Sequence, residues 1–300
     1  MDNDLFPRIR NFEQKLSGKQ KRLAQYLLSH FEEIPFQTVA EISSKAGVSD
    51  STVIRFSRAF GCDGFPELKE KFQGAILEKL SPSERLHKVI DFPNNFKDLV
   101  SLVFEREVQN LKETEKRLEI ENIEKIAKCI IKARGKYVTG LRASSGCAHL
   151  LGRFLTQILP NVVTILDGDS RLFEGIRDIG KKDVLVAISY SRYTKTTIEA
   201  LQFARDRKAS TVTITDSKLS PAAQLSKFTL IAPANSYNFA NSYTGCISII
   251  NLLVTLIIHM EKDQAEMNLR AREEALQGLH LHYGNEVPSI SLIRGVKKDN

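Results

Sequence analysis

Arg55 and Arg58, nearly one helical turn apart, stand close behind three small hydroxyl residues, Ser49, Ser51 and Thr52. An arginine fork meets a guanine edge or a phosphate with two parallel hydrogen bonds, and short hydroxyl side chains let a helix approach a duplex closely. Such chemistry needs a platform. Val53, Phe56 and Phe60 recur at helical spacing, so at 3.6 residues per turn they fill one side of a helix. Ser51, Arg55 and Arg58 project from the other. A preceding helix is marked by Val39, Ile42 and Ala46. Gly47 ends it, because glycine takes a left-handed backbone without steric penalty. Val48 plugs the corner, and Ser49 or Asp50 can cap the second helix. Two short helices joined by a tight turn, with an outer face of serine, threonine and arginine, suit the DNA major groove. The same spacing also suits an ordinary helical hairpin with a solvated face.

A second set of residues points to anion binding. Gly140-Leu-Arg-Ala-Ser-Ser-Gly146 and Ser189-Tyr-Ser-Arg-Tyr-Thr-Lys195 are rich in hydroxyls, and each opens into a helical segment, Ser145–Leu159 and Thr194–Arg207. Free N–H groups and the positive dipole end at a helix start attract anions. The elements that position these loops are short β-rich runs alternating with helices: Lys136–Leu141, Asn161–Leu166, Asp183–Ser189, Ser210–Thr215 and Lys227–Ile231. This alternation predicts a doubly wound parallel sheet, and the nearly continuous apolar or β-branched runs fit strands covered on both faces. Ligands bind such sheets beyond the carboxyl ends of the strands, where strand order reverses. For the order 2-1-3-4-5 that point lies between strands one and three, whose ends are these two loops. A phosphate held between them is the expectation. The plainer alternative is that Ser145 and Thr194 only cap their helices.

Three hundred residues predict two domains, and 42% hydrophobic content is enough for real cores. The net charge of +7 permits nucleic-acid binding, but residues 1–80 hold 12 lysines and arginines against 11 acids. Affinity for phosphate must therefore come from local placement of charge. Cys62, Cys129, Cys147 and Cys246 lack metal-ligand spacing and read as free thiols in a reducing cytoplasm. Met1-Asp-Asn-Asp begins no apolar leader, and the apolar run Cys246–Met260 is too short to span a bilayer. No metal site, glycine-rich dinucleotide fingerprint or nucleophile elbow is present in the sequence, so no cofactor is expected.

The first domain reads as all helical. Ser17 and Gln20 form a capping box before Leu23, Tyr26, Leu27 and His30, and a helix beginning near Pro66 would bury Leu68, Phe72 and Ile76. Breaks at Ser81-Pro82-Ser83 and Phe92-Pro93-Asn94-Asn95 precede a long charged helix, about Asp98–Leu118. The domains expected are 1–80 for DNA binding, 81–121 as linker and connecting helix, 122–264 for ligand binding, and 265–300 as a C-terminal helix and tail.

The segment from Thr38-Val-Ala-Glu-Ile to Gly61-Cys-Asp-Gly-Phe-Pro-Glu-Leu-Lys69 resembles the helix-turn-helix domain of RpiR-type transcriptional regulators. The second half is similar to the sugar isomerase (SIS) domain those regulators carry, including Ile188-Ser-Tyr-Ser191 and Ile214-Thr-Asp-Ser217. The resemblance implies an all-α helix-turn-helix domain followed by an α/β doubly wound, flavodoxin-like five-stranded parallel sheet. It implies a bacterial regulator whose affinity for operator DNA is set by a small phosphorylated metabolite. Ser49, Ser51, Thr52, Arg55, Arg58 and Lys69 are the residues expected at DNA. Ser144, Ser145, Ser189, Ser191 and Thr194 would hold the phosphate. The chain departs from the family pattern at Arg142 and at Arg192-Tyr193, where relatives usually carry glycine, or glycine and a polar residue. Arginine there makes a smaller and more cationic pocket, which favours an anionic ligand, a sugar phosphate or organic acid, with Arg142 and Arg192 adding charge.

Many SIS proteins are isomerases, so catalysis is the competing expectation. Aldose–ketose isomerisation needs a base beside the substrate, and Glu174 or His149 could serve. Neither sits in a recognisable catalytic motif, Glu174 reading as a solvated helix residue and His149 as an interface or core histidine. A sensor has a use for a helix-turn-helix domain that a metabolic isomerase lacks, so no enzyme is expected. A helix-turn-helix unit usually reads two half-sites, so a homodimer or homotetramer is expected, with Ile247–Ile258 and Asp98–Leu118 as candidate interface helices and no membrane partner.

Overall fold

The computed structural model describes residues 9, 16–31, 33–34, 37–69, 72 and 95–276. The expectations for Met1–Asp4, Ile76, the breaks before Asn95 and the tail after Gln277 lie outside the described residues.

The N-terminal half is helical: α1 (Gly18–Ser29), α2 (Val39–Ala46) and α3 (Asp50–Ala59), with residues 65–69 also helical. Each start has a local cause. The Ser17 N–H donates to Gln20 Oε1 at 3.2 Å, as the capping-box spacing predicts. A second box, unforeseen in our reading, opens α2: Glu41 N–H donates to Thr38 Oγ1 at 3.2 Å, and Thr38 N–H to the Glu41 carboxylate at 2.6 Å. Gly47 ends α2 at φ 64. The apolar faces meet in one core built from Leu23, Leu27, Ile42, Val53, Phe56, Phe60, Leu68 and Phe72. Fully burying a side chain the size of Val53 or Phe56 stabilises by about 1.5–3 kcal/mol, so α3 is held to this core by its inner stripe.

A long helix, α4 (Phe96–Arg117), leads into the second half. It is followed by α5 (Ile120–Lys132), β1 (Lys136–Thr139), α6 (Ser144–Ile158), β2 (Val162–Ile165), α7 (Ser170–Gly175) and β3 (Val184–Ile188). Then come α8 (Lys195–Asp206), β4 (Ser210–Thr215), α9 (Pro221–Leu225), β5 (Phe228–Ile231), α10 (Thr244–Met260) and α11 (Lys262–Leu276). The strands form one parallel sheet in the order β2-β1-β3-β4-β5, the flavodoxin-like order that the family resemblance implies. β3 is buried at all five positions, because helices cover both faces. One face packs α5, α6 and α10 through Ile126, Leu151, Leu155, Ile250 and Leu253. The other packs α7, α8 and α9 through Leu172, Leu201 and Ala222. Asp183 fastens the lower edge. It accepts from Arg134 at 2.6 and 2.9 Å and from the N–H groups of Gly135 and Gly180 at 2.9 and 2.8 Å. Among the described residues no single helix is long and apolar enough to cross a membrane.

Candidate functional site

α3 presents its outer side as the spacing requires. Ser51, Arg55 and Arg58 are exposed, while Val53 and Phe56 are fully buried. Arg55 Nε donates to the Ser51 carbonyl at 3.2 Å, which lays the guanidinium along the face. Ser49 stands at the N-cap position but makes no side-chain cap bond. Its hydroxyl lies 2.9 Å from those of Ser51 and Thr52. The Asp50 carboxylate instead accepts from Ser43 of α2, tying the two helices together across the turn. Thr52 is 4% exposed, its hydroxyl 2.9 Å from that of Ser49. Lys69 is half-buried and donates to the Gln37 carbonyl at 3.3 Å.

The two hydroxyl loops fall at the ends of β1 and β3, adjacent parallel strands at the point where strand order reverses. The helices that follow, α6 and α8, begin differently from α7 and α9. α7 and α9 are capped by their own side chains, Asp169 onto Arg171 N–H and Ser220 onto Ala223 N–H. α6 and α8 have neither a side-chain cap bond nor an acidic residue in the first turn. Ala143 is the N-cap of α6, so Ser145 lies inside the helix, and Thr194 stands at the N-cap of α8 without a cap bond. The capping alternative for these two hydroxyls is therefore not the one realised. Both starts put the positive end of a helix dipole beyond the ends of β1 and β3; at α6 the Ser144 and Ser145 N–H groups donate to the Leu141 and Arg142 carbonyls at 3.2 and 3.0 Å.

The side chains around the crevice are polar. Ser189 is 3% exposed and its hydroxyl has no hydrogen-bond partner among the described residues. A buried hydroxyl left unmade costs about 1–3 kcal/mol, which a ligand acceptor would relieve. Ser144 is buried, its hydroxyl 3.3 Å from that of Tyr243. Arg142 is exposed and Arg192 half-buried, and both hold left-handed backbone, φ 55 and 65. Beneath them lies Asp216, absent from our sequence-derived set. It accepts from Ser191 N–H at 3.1 Å, the Tyr193 hydroxyl at 3.0 Å and the Thr215 hydroxyl at 3.1 Å. Burial pushes its carboxyl above the usual range while the donors pull the other way. Its role is to fix the 189–194 loop. The Ile214-Thr-Asp-Ser217 motif was visible in the sequence; the three donors converging on it were not.

The general-base candidates are not brought into this arrangement. His149 is exposed on α6 and is not a core residue, and Glu174 is exposed on α7. Neither has a hydrogen bond or ion pair to another titratable side chain among the described residues. Cys147 and Cys246 are buried hydrogen-bond partners. A groove of ≈ 300 Å³ lies apart from the crevice, between α4 and α10, lined by Val108, Leu111, Thr114, Ile249 and Leu252.

Residues 3–92 match the family model described as the helix-turn-helix domain of the rpiR family, and residues 129–256 match that of the SIS domain. An uncharacterised HTH-type transcriptional regulator of Haemophilus influenzae is 22% identical over 263 residues, covering 86% of this chain and 91% of the relative. The sugar isomerase domain of an RpiR transcription factor from Sphaerobacter thermophilus is 28% identical with a TM-score of 0.57, covering 59% of this chain and 98% of its own. The NanR protein of Vibrio vulnificus, solved in complex with ManNAc-6P, shares the fold at 20% identity and a TM-score of 0.58, covering 93% and 100%.

Proposed function

The chain belongs to the rpiR family of helix-turn-helix regulators carrying a SIS domain, and from that premise we propose that it is a transcriptional regulator whose operator affinity is set by a sugar phosphate bound between β1 and β3. The observation that carries the ligand half is the unpartnered Ser189 hydroxyl between two uncapped helix starts. Ser144, Ser145, Ser189, Ser191 and Thr194 take the phosphate, and Arg142 and Arg192 supply charge-assisted forks. The ManNAc-6P bound to the NanR protein supports a phosphosugar over an organic acid.

On this reading residues 1–80 bind double-stranded operator DNA through Ser49, Ser51, Arg55 and Arg58, and residues 81–121 connect them to the ligand domain, 122–264. The C-terminal helix and tail occupy 265–300. The protein is cytoplasmic, works as a homodimer or homotetramer and is not an enzyme. Glu174 and His149 are exposed and neither makes a hydrogen bond or ion pair to another titratable side chain among the described residues, which supports binding over turnover.

Selection of duplexes from a random pool tests the DNA half. A sequence is enriched, and the Arg55→Ala, Arg58→Ala double variant loses it, each bidentate contact being worth about 1–3 kcal/mol. No enrichment, or unchanged affinity in the double variant, refutes it. Incubation with sugar phosphates followed by NMR separates regulator from isomerase: consumption of a bound sugar phosphate over hours would make the chain an enzyme.

A further inference from the structure

The segment between β5 and α10, residues 232–243, touches both anion loops. Asn241 Nδ2 donates to the Ser191 carbonyl at 3.4 Å, and the Tyr243 hydroxyl lies 3.3 Å from that of Ser144. The Tyr243 ring meets the Tyr190 ring edge-on, with centroids 5.2 Å apart. The segment is thus a third wall of the crevice, and it grips the backbone and side chains that face the proposed phosphate.

Its other side is fastened to α4. Arg106 Nη2 donates to the Tyr237 hydroxyl at 3.1 Å, with the guanidinium over the same ring. The Ser242 hydroxyl donates to the Glu107 carboxylate. Asn110 Nδ2 donates to the Asn235 carbonyl at 2.8 Å, and Asn110 is fully buried. One turn on, α4 comes so close to the start of α10 that a Cβ at Gly245 would sit 2.4 Å from Thr114 Oγ1. Only glycine permits that approach. Packing this tight does not deform continuously; it moves as a unit or breaks.

α4 is also the element through which the DNA-binding half is continuous with the sheet, since it directly follows the residues matched by the helix-turn-helix model. We propose that Arg106, Glu107 and Asn110 are positioning residues for regulation: through the 232–243 segment they make the pose of α4 depend on what occupies the crevice. This rests on the regulator reading above. A ligand that draws in Ser144 and Ser191 displaces Tyr243 and Asn241, and the three side chains carry the displacement to α4. By reciprocity, DNA bound to the helix-turn-helix must change the affinity of the crevice for its ligand by the same factor that the ligand changes the affinity for DNA.

Reciprocity allows a test that uses operator DNA as the only probe. Hydrogen exchange is measured on the full chain, free and saturated with the duplex enriched from the random pool. Amides in 189–194 and 232–243 are expected to change their exchange rates by about fivefold or more on DNA binding, the shift in their local opening equilibrium if that equilibrium carries the coupling. In the Arg106→Ala, Glu107→Ala double variant the duplex still binds, and the change at 189–194 falls below twofold. Tyr237→Phe, which removes one hydroxyl and leaves the fold intact, gives an intermediate loss. A residue that merely stabilises the fold would shift exchange equally with and without DNA. The proposal is overturned if the saturated wild type shows no change at these segments, or if the double variant keeps the full change. Should no duplex be enriched, the regulator reading itself fails and takes the proposal with it.

Discussion

On the proposed reading Arg142 and Arg192 set stability against ligand affinity, and replacing both with glycine separates the two. Each occupies left-handed backbone, φ 55 and 65, where a Cβ meets the following carbonyl oxygen. That conformation costs an ordinary L-residue about 1–2 kcal/mol. Glycine removes the cost but frees the unfolded chain, returning about 0.5–1 kcal/mol of it. The net expectation is a gain of about 0–1.5 kcal/mol per site, or up to a few degrees in melting temperature for a domain of this size. Affinity goes the other way. A hydrogen bond to a charged group is worth about 1.5–3 kcal/mol, so losing one fork weakens an anion by about tenfold to 150-fold. A thermal-shift screen identifies a sugar phosphate, and calorimetry then compares wild type, Arg142→Gly, Arg192→Gly and the pair. The expected pattern is equal or higher melting temperature without ligand, and stepwise loss of affinity with it. Unchanged affinity in the pair would show that the arginines do not touch the ligand. A melting temperature several degrees lower would show that their side chains hold the loops, and the strain argument would be wrong.

Two further outcomes follow from the packing and the charges. Phe96, Val100, Phe104 and Val108 form an i, i+4 stripe on α4, with Phe104 68% exposed; light scattering at micromolar concentration is expected to give a dimer or tetramer mass, and Phe104→Glu to move it to monomer, whereas a wild-type monomer would refute assembly through this face. Burial alone would raise Asp183, but Arg134 and the Gly180 and Gly135 N–H groups hold its carboxyl below the usual range. The stability it adds is therefore present above the ordinary carboxylate value, near pH 4, and is lost as pH falls through the lower folded value. Asp183→Asn should cost about 1–3 kcal/mol at pH 7, with the deficit shrinking below about pH 4 in circular-dichroism melts; a deficit constant across that range would contradict it.

The sheet was legible because its strands are covered on both faces. Runs such as Val184–Ile188 admit few other readings, and the switch-point rule then located the crevice. The two-helix unit was legible because Gly47 and the stripe through Phe56 act locally. What escaped depended on residues distant in sequence. Lys69 reaches a carbonyl 32 residues earlier. Asp216 acquires its role only when three donors from two segments close over it. The uncapped starts of α6 and α8 look in sequence like any serine or threonine near a helix. The left-handed arginines carry no signal in their spacing, because arginine is not the residue that conformation selects.

The separation of the two cores along the chain has a consequence for biosynthesis. α1, α2 and α3 pack through neighbours close in sequence, the kind of contact that forms fastest, and they leave the ribosome first. The sheet cannot close so early: β1 lies between β2 and β3, and β5 has no edge to join until β4 is made. α10, which covers one face, is synthesised after all five strands. For an interval during each round of synthesis the nascent chain carries a folded DNA reader with no finished sensor behind it. On the regulator reading, a product that stopped before α10 would carry the helix-turn-helix without a covered sheet to control it.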